Sequence, residues 1–162
     1  MSSPVGPLTL IASELGLHAV LWERDSHVGI LQTALAEVKC TKTKSIFMST
    51  KQQITEYFLH KRQSFDLPLV LQGTDFQMQC WQQLLSIPYA STISYKEQAL
   101  QLGDKNKARA VGMSNGLNPL SIVIPCHRVI GSSGKLVGFG GGLLCKEWLI
   151  HHEKKNLNSN DV

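Results

Sequence analysis

A thiol, an imidazole and a guanidinium follow one another at Cys126-His127-Arg128, directly after Pro125. The apolar run Ile122-Val123-Ile124 before them reads as a buried strand, which Pro125 should stop, fixing the backbone where the cysteine emerges. A cysteine at a rigid strand end, beside a histidine and an arginine, has the surroundings that make a thiol a nucleophile. The competing reading is an inert buried cysteine beside a surface histidine, since free cysteine usually packs as a small hydrophobe. A Cys/His pair also suits a cysteine hydrolase or thiol transferase acting on small molecules. Residue types alone leave these readings level.

The elements that must position this stretch divide the chain near Gly73. Before it, the turn residues of Pro4-Val5-Gly6-Pro7 precede a predicted strand, Leu8 to Ala12, and Leu15-Gly16 turns the chain into an antiparallel partner, His18 to Trp22. Residues Gly29 to Cys40 have a helical period, Thr41 to Ser45 reads as a polar loop, and Ser49 is placed to cap a helix that fades near Lys61-Arg62. Phe65 to Leu71 is extended, its proline placing it at a sheet edge or in a linker.

After Gly73 the pattern turns helical. Thr74-Asp75-Phe76-Gln77 and Ser94-Tyr95-Lys96-Glu97 both fit capping boxes, the first opening a helix that buries Phe76, Trp81, Leu84 and Leu85. Asn106 is the expected cap of a third helix, from Lys107 to about Asn115, and a last helix spans Leu143 to Glu153. The fold class expected is mixed α/β: a domain over residues 1–72, a second of winged helix-turn-helix type over 73–155, and a flexible tail over 156–162.

Composition bounds the rest. The chain has 162 residues, 43% of them hydrophobic and 17% charged, as in ordinary globular proteins. No run is long and apolar enough to span a membrane and the start has no signal-peptide layout, so a cytoplasmic location is expected, or a nuclear one in a eukaryote. Its four cysteines contain no C-x-x-C pair, and neither a disulfide framework nor a metal site is predicted. Basic and acidic residues balance over residues 1–95, so the whole net charge of +4 falls in residues 96–162. That half suits a polyanion.

The third helix, Lys107 to Ser114, is the expected recognition helix. At about 100° per residue, Ala108, Gly112 and Asn115 share one face with Arg109 at its edge, and Ala110, Met113 and Ser114 fall to the core. A nearly bare face with one arginine is poorly equipped to read the major groove and suits close approach to a narrow minor groove. Small residues equally permit tight packing within the protein.

Ile124-Pro125-Cys126-His127-Arg128-Val129 resembles the active-site sequence of the O6-alkylguanine-DNA alkyltransferases, the methylated-DNA–protein-cysteine methyltransferases. Further likenesses follow in that family's order: Ile93-Ser94-Tyr95, Ala108 to Gly112, Asn118-Pro119, Gly141-Gly142-Leu143, Lys146 to Leu149 and His152-Glu153, with Ser3 to Leu8 matching the opening strand. The resemblance implies a ribonuclease H-like first domain and DNA repair by irreversible transfer of an alkyl group from guanine O6 to Cys126, one lesion per protein molecule. It assigns His127 as a base acting through a bridging water, Glu153 as its orienting partner, Asn118 as the brace of the turn and Tyr95 as donor to guanine N3. Adjacent strand residues point to opposite faces, so a direct Cys126–His127 contact would be strained and a relay is the sensible geometry.

Substrate-binding groups implied are Tyr95 and Phe139 with backbone at Cys126, Val129 and Gly140. Arg109 would fill the space left by a flipped nucleotide, while Ala108, Gly112, Asn115, Lys96 and Ser132 would meet DNA. The implied partner is double-stranded DNA containing O6-alkylguanine, bound by a monomer through the minor groove, with no cofactor and no membrane. O4-alkylthymine and cooperative binding stay open. Departures from the family's pattern are Phe139 and Gly140, where a tyrosine and then a small serine or alanine are expected, and Met78 at a commonly basic position. Alkyltransferase-like proteins, which only bind lesions, are the other alternative. They lack the nucleophile that Cys126 supplies here.

Overall fold

The computed structural model describes residues 1–23 and 41–158. The helix expected over Gly29 to Cys40 lies outside them. The chain forms two compact units, Met1–Leu71 with Pro119–Val123, and Gln72–Asn118 with Ile124–Val162.

In the first unit, β1 (Leu8–Ser13) and β2 (Gly16–Trp22) form the antiparallel hairpin expected from their alternation, with Leu8 opposite Trp22 and Leu10 opposite Val20. Ile11, Ala19 and Leu21 form a buried apolar cluster. The extended segment after Phe65 runs beside β2, with Leu17 N–H donating to Pro68 O at 2.7 Å and Val70 N–H to Leu17 O at 2.9 Å. A Cβ at Gly16 would collide with Pro68 O, so the hairpin turn needs glycine there.

Helix α1 spans Thr41–Phe58 and buries Thr43, Ile46, Thr50, Gln53, Ile54 and Tyr57, one stripe at helical spacing. The expected loop at Thr41 to Ser45 is therefore its first turn. Lysine is a good helix former and threonine a poor one, and burial of Thr43 and Ile46 tips the segment into the helix. The Gln53 amide grips the backbone of Asp66, donating to its carbonyl at 2.7 Å and accepting from its N–H at 2.8 Å.

The second unit is mainly helical. Helix α2 (Asp75–Leu84) has the complete capping box at Thr74 and Gln77. It buries Cys80, Trp81 and Leu84, while Leu85, expected inside, is exposed and Phe76 is half-buried. Ser94 and Glu97 form the second capping box, opening α3 (Tyr95–Gln101). The third helix, α4, spans Ala108–Gly116 and begins one residue later than expected. A 3-10 turn at Lys105–Lys107 precedes it, and Asp104, not Asn106, supplies the cap by accepting from Asn106 N–H at 2.9 Å. Strands β3 (Ile93–Ser94) and β4 (Val129–Ile130) pair in parallel, and α5 spans Leu143–Asn158. Among the described residues no helix is long and apolar enough to cross a membrane.

The strand expected at Ile122 to Ile124 is absent. These residues are buried but form tight turns: Val123 N–H donates to Ser121 O at 2.9 Å around Ile122, whose φ is +73°. A β-branched residue there is strained, and a γ-turn of this hand is rare. Burial and β propensity marked the run correctly as core. Backbone pairing was decided by neighbours distant in sequence, for Leu120 bridges to Val20 and the Ser121 hydroxyl accepts from Trp22 Nε1 at 3.0 Å.

Candidate active site

Pro125, with φ −82° and ψ 61°, makes a second tight turn in which Cys126 N–H donates to Ile124 O at 2.8 Å. Cys126–Arg128 then forms a single 3-10 turn, closed by Arg128 N–H to Pro125 O at 3.0 Å and by Val129 N–H to Cys126 O. The alternation of a strand therefore does not govern Cys126 and His127. Each points where the turn sends it, and the structure corrects that premise of the sequence argument.

Asn118 lies in the buried bend after α4. Its Nδ2 donates to Ile124 O at 2.8 Å and to Cys126 Sγ at 3.2 Å. One amide thus holds the backbone before the cysteine and touches the sulfur itself, where its N–H dipole favours negative charge.

Behind the cysteine is a buried charge cluster. His127 is fully buried, and its Nε2 lies 2.8 Å from Glu153 Oε1. Glu153, near the end of α5, is only 1% exposed, so it is no solvated surface charge. The Arg128 guanidinium forks onto it, Nε to Oε2 and Nη2 to Oε1, both at 3.0 Å, and Ala90 N–H donates to Oε2 at 2.9 Å. The remaining Arg128 donor, Nη1, reaches Ile87 O at 2.7 Å. Burial opposes charge on Glu153, but hydrogen bonding and charge from His127 and Arg128 outweigh it and hold the carboxyl down at about 2.

Burial pushes His127 below the ordinary imidazole range, against the pull of Glu153. Glu153 accepts from Nε2–H, which leaves Nδ1 as the basic nitrogen, and Nδ1 meets no hydrogen-bond partner among the described residues.

Across the cysteine stand Tyr95 and Lys146. Tyr95 O–H donates to Val137 O at 3.1 Å and is pushed up to about 12, by burial first and then by the charge of Cys126. Lys146 is fully buried on α5, and its Nζ donates to Tyr95 Oη at 3.2 Å and to Val137 O at 2.8 Å. A Cβ built on Gly112 would come within 3.6 Å of the Tyr95 ring, so α4 faces that ring without a side chain.

Among the expected site residues, Val129 is buried in β4, Phe139 is half-buried, and Gly140, Lys96 and Ser132 are exposed. On α4, Arg109 is exposed, and Ala108 and Gly112 are half-buried. Asn115 is not on that surface. It is 5% exposed, and its Nδ2 donates to Oε1 of the buried Gln98 at 2.7 Å. Ala110 and Met113, expected in the core, are instead exposed, Met113 by 68%. The helix is rotated relative to the expectation because Val111, Ser114 and Asn115 supply its buried face. Trp81 Nε1 fixes that face by donating to Ser114 O at 2.8 Å.

Lys146 and Ala90 had no assigned role at the sequence level, and Arg128, expected only as a charged neighbour of the thiol, instead binds Glu153. Lys146 did leave a signal: with Leu149, Ile150 and Glu153 it repeats at helical spacing, and a lysine on a buried stripe needs a reason to be there. Among the described residues no group of histidine, cysteine or carboxylate side chains is arranged to hold a metal.

Fold and site define a mixed α/β protein in two units, whose second unit carries a cysteine braced by an asparagine and backed by a buried His–Glu–Arg cluster. Residues 1–71 match the 6-O-methylguanine DNA methyltransferase ribonuclease-like domain, and residues 75–155 match the DNA binding domain of the same proteins. The methylated-DNA–protein-cysteine methyltransferase of Methanosarcina barkeri is 42% identical over 158 residues, 97% of this chain and 96% of the relative. The crystal structure of Mycobacterium tuberculosis O6-methylguanine methyltransferase superposes with a TM-score of 0.86 at 40% identity, covering 99% of this chain and 96% of that one. The M. tuberculosis protein in complex with DNA gives a TM-score of 0.83 at 41% identity, covering 96% and 91%. This chain belongs to the methylated-DNA–protein-cysteine methyltransferase family.

Proposed function

We propose that this protein repairs DNA by moving the alkyl group of an O6-alkylguanine onto Cys126, one lesion per molecule. The observation that carries the reading is the Asn118 amide on Cys126 Sγ, in a turn whose next residue is the buried His127. In this reading a water bridges Cys126 and His127 Nδ1, and the thiol proton passes through it to the imidazole. Glu153 steadies the resulting imidazolium, and Arg128 keeps Glu153 ionised and aimed. The thiolate attacks the alkyl carbon, forming the S–C bond as the C–O6 bond breaks. Tyr95 gives its proton to guanine N3, so the base departs neutral and no anion is left buried. A thioether has no facile reverse reaction, which makes the transfer stoichiometric.

The lesion atom is hidden within the duplex, so the nucleotide must leave the stack. A monomer would meet DNA through α4, with exposed Arg109 taking the place of the flipped nucleotide and half-buried Ala108 and Gly112 allowing the backbone close. Lys96 and Ser132 would touch phosphates, and backbone groups at Cys126, Val129 and Gly140 would bind the guanine edge beside Phe139. The test is digestion and mass spectrometry after mixing with excess duplex containing O6-methylguanine. One methyl per protein, on Cys126, is expected. Many lesions repaired per molecule, or a methyl on any other residue, would sink the reading.

A further inference from the structure

We infer that Met113, with Leu117 one turn further on, is an apolar wedge that enters the minor groove beside Arg109 and parts the base step next to the flipped nucleotide. This rests on the reading above, in which α4 is the element that meets the duplex. From Ala108 through Leu117 the exposed residues are Arg109, Ala110, Met113, Gly116 and Leu117, and the arginine is the one polar side chain among them. A helix face turned to water is ordinarily polar, and a lone exposed apolar residue would need no explanation. Here two stand at helical spacing, Met113 68% exposed and Leu117 46%, on a face that otherwise carries only alanine, glycine and Arg109.

Helix geometry sets where they act. Four residues carry the chain about 40° past a full turn and about 6 Å along the axis, so Met113 stands beside Arg109. Base pairs are about 3.4 Å apart, which puts Met113, on a helix lying along the groove, within two steps of the place Arg109 fills. The buried side holds this orientation, for Val111, Ser114 and Asn115 face inward and Trp81 Nε1 donates to Ser114 O at 2.8 Å. Gly112 faces the Tyr95 ring, and Met113 comes about 100° further round. The methionine therefore addresses the duplex and not the reacting base.

The chemistry of the face fits this occupant. The minor groove is walled by deoxyribose, and methionine is among the apolar side chains that wedge between base steps and unstack them. Lys105 and Lys107, exposed in the 3-10 turn before α4, put positive charge beside the apolar strip, where phosphates run. A second copy of this chain would bring the same positive charge, since residues 96–162 hold the whole net +4. Parting the neighbouring step removes some of the stacking that keeps the lesion in the duplex, so the wedge assists extrusion as well as affinity.

The test compares wild type with Met113→Ala, Met113→Gln and Met113→Leu. Binding to a fluorescein-labelled unmodified duplex is measured by anisotropy over a range of salt. A duplex with 2-aminopurine beside O6-methylguanine reports unstacking by its emission on rapid mixing, with methyl transfer followed in parallel. Met113→Ala should bind about tenfold more weakly, the order expected when burial of one methionine side chain is lost. Its dependence on salt should match wild type, because no phosphate contact is removed. It should also blunt the emission rise and slow transfer from the duplex, with a much smaller loss on free O6-benzylguanine. Met113→Gln, similar in length but polar, should fail as alanine does, and Met113→Leu should restore binding and emission. Wild-type binding and emission in the alanine and glutamine variants overturn the wedge, as do equal losses on duplex and free base. A wild-type dimer in sedimentation that Met113→Ala separates gives the strip to a second copy and overturns it too. Transfer to Cys126 stands through all of these outcomes. A wild-type protein that binds no duplex, or takes no methyl group on Cys126, overturns the reading beneath.

Discussion

His127 Nε2 lies 2.8 Å from Glu153 Oε1, across 26 residues of sequence and with both side chains buried. Arg128 and Ala90 also hydrogen-bond the carboxylate and support the pair. An imidazole and a carboxylate alone would leave charge uncompensated inside the protein.

Removing Arg128 should therefore be costly. Arg128→Met removes both guanidinium bonds to the buried Glu153, and breaking a buried pair costs about 3–5 kcal/mol. Urea denaturation should show that loss in the midpoint. Glu153→Gln, which removes the negative charge as well, also leaves Arg128 unpaired and should lose benzyl transfer along with stability. A fully stable Arg128→Met would show the cluster to be dispensable.

Acid stability follows from the same carboxylate. Glu153 is held at about 2 in the folded protein against 4.5 ordinarily, so the unfolded chain binds the proton more readily. Its contribution is complete above about 4.5 and is lost as pH falls towards about 2. Thermal unfolding followed down this range should show a decline that Glu153→Gln no longer displays.

Asn118 holds the turn and touches the sulfur. Asn118→Ala leaves Ile124 O without its side-chain donor, at a cost of about 1–3 kcal/mol for a buried unsatisfied group. It should also slow iodoacetamide alkylation of Cys126, because the amide no longer favours the thiolate. Asn118→Asp would separate the effects, since a carboxylate beside the sulfur opposes the thiolate charge and should slow the reaction further.

Arg109 and Met113 share the exposed side of α4, four residues apart. Arg109→Ala should impair repair of a duplex far more than reaction with free O6-benzylguanine, because only the duplex needs a nucleotide held out of the stack. Equal losses on both substrates would remove Arg109 from that role.

Gly112 faces the Tyr95 ring with room for one methyl, at 3.6 Å. Gly112→Ala should keep benzyl transfer from the free base and raise helix stability by up to about 1 kcal/mol, the usual Gly-to-Ala difference. Larger residues should push Tyr95 aside and slow the free-base reaction. Rates on both variants, with thermal midpoints, decide this.

The sequence by itself determined what depends on near neighbours. Both capping boxes formed because a side chain and a backbone N–H three residues apart satisfy each other wherever the helix begins. The β1–β2 hairpin formed because alternation and a glycine turn specify it locally. Cys126 and its histidine were legible as adjacent residue types, and the family resemblance supplied Asn118, Tyr95 and Glu153. Tertiary structure decided the rest. Ile122 turns at positive φ because Leu120 and Ser121 are held by β2, and no local rule places a β-branched residue there. Helix α4 is rotated so that Asn115 pairs with Gln98, since a buried amide needs a partner and the partner lies on another helix. Nothing local couples Glu153 to Arg128 or Lys146 to Tyr95 until α5 is packed. Burial then decides which charged groups are coupled, because electrostatic coupling depends on distance and on the exclusion of water, neither of which is written in residue order.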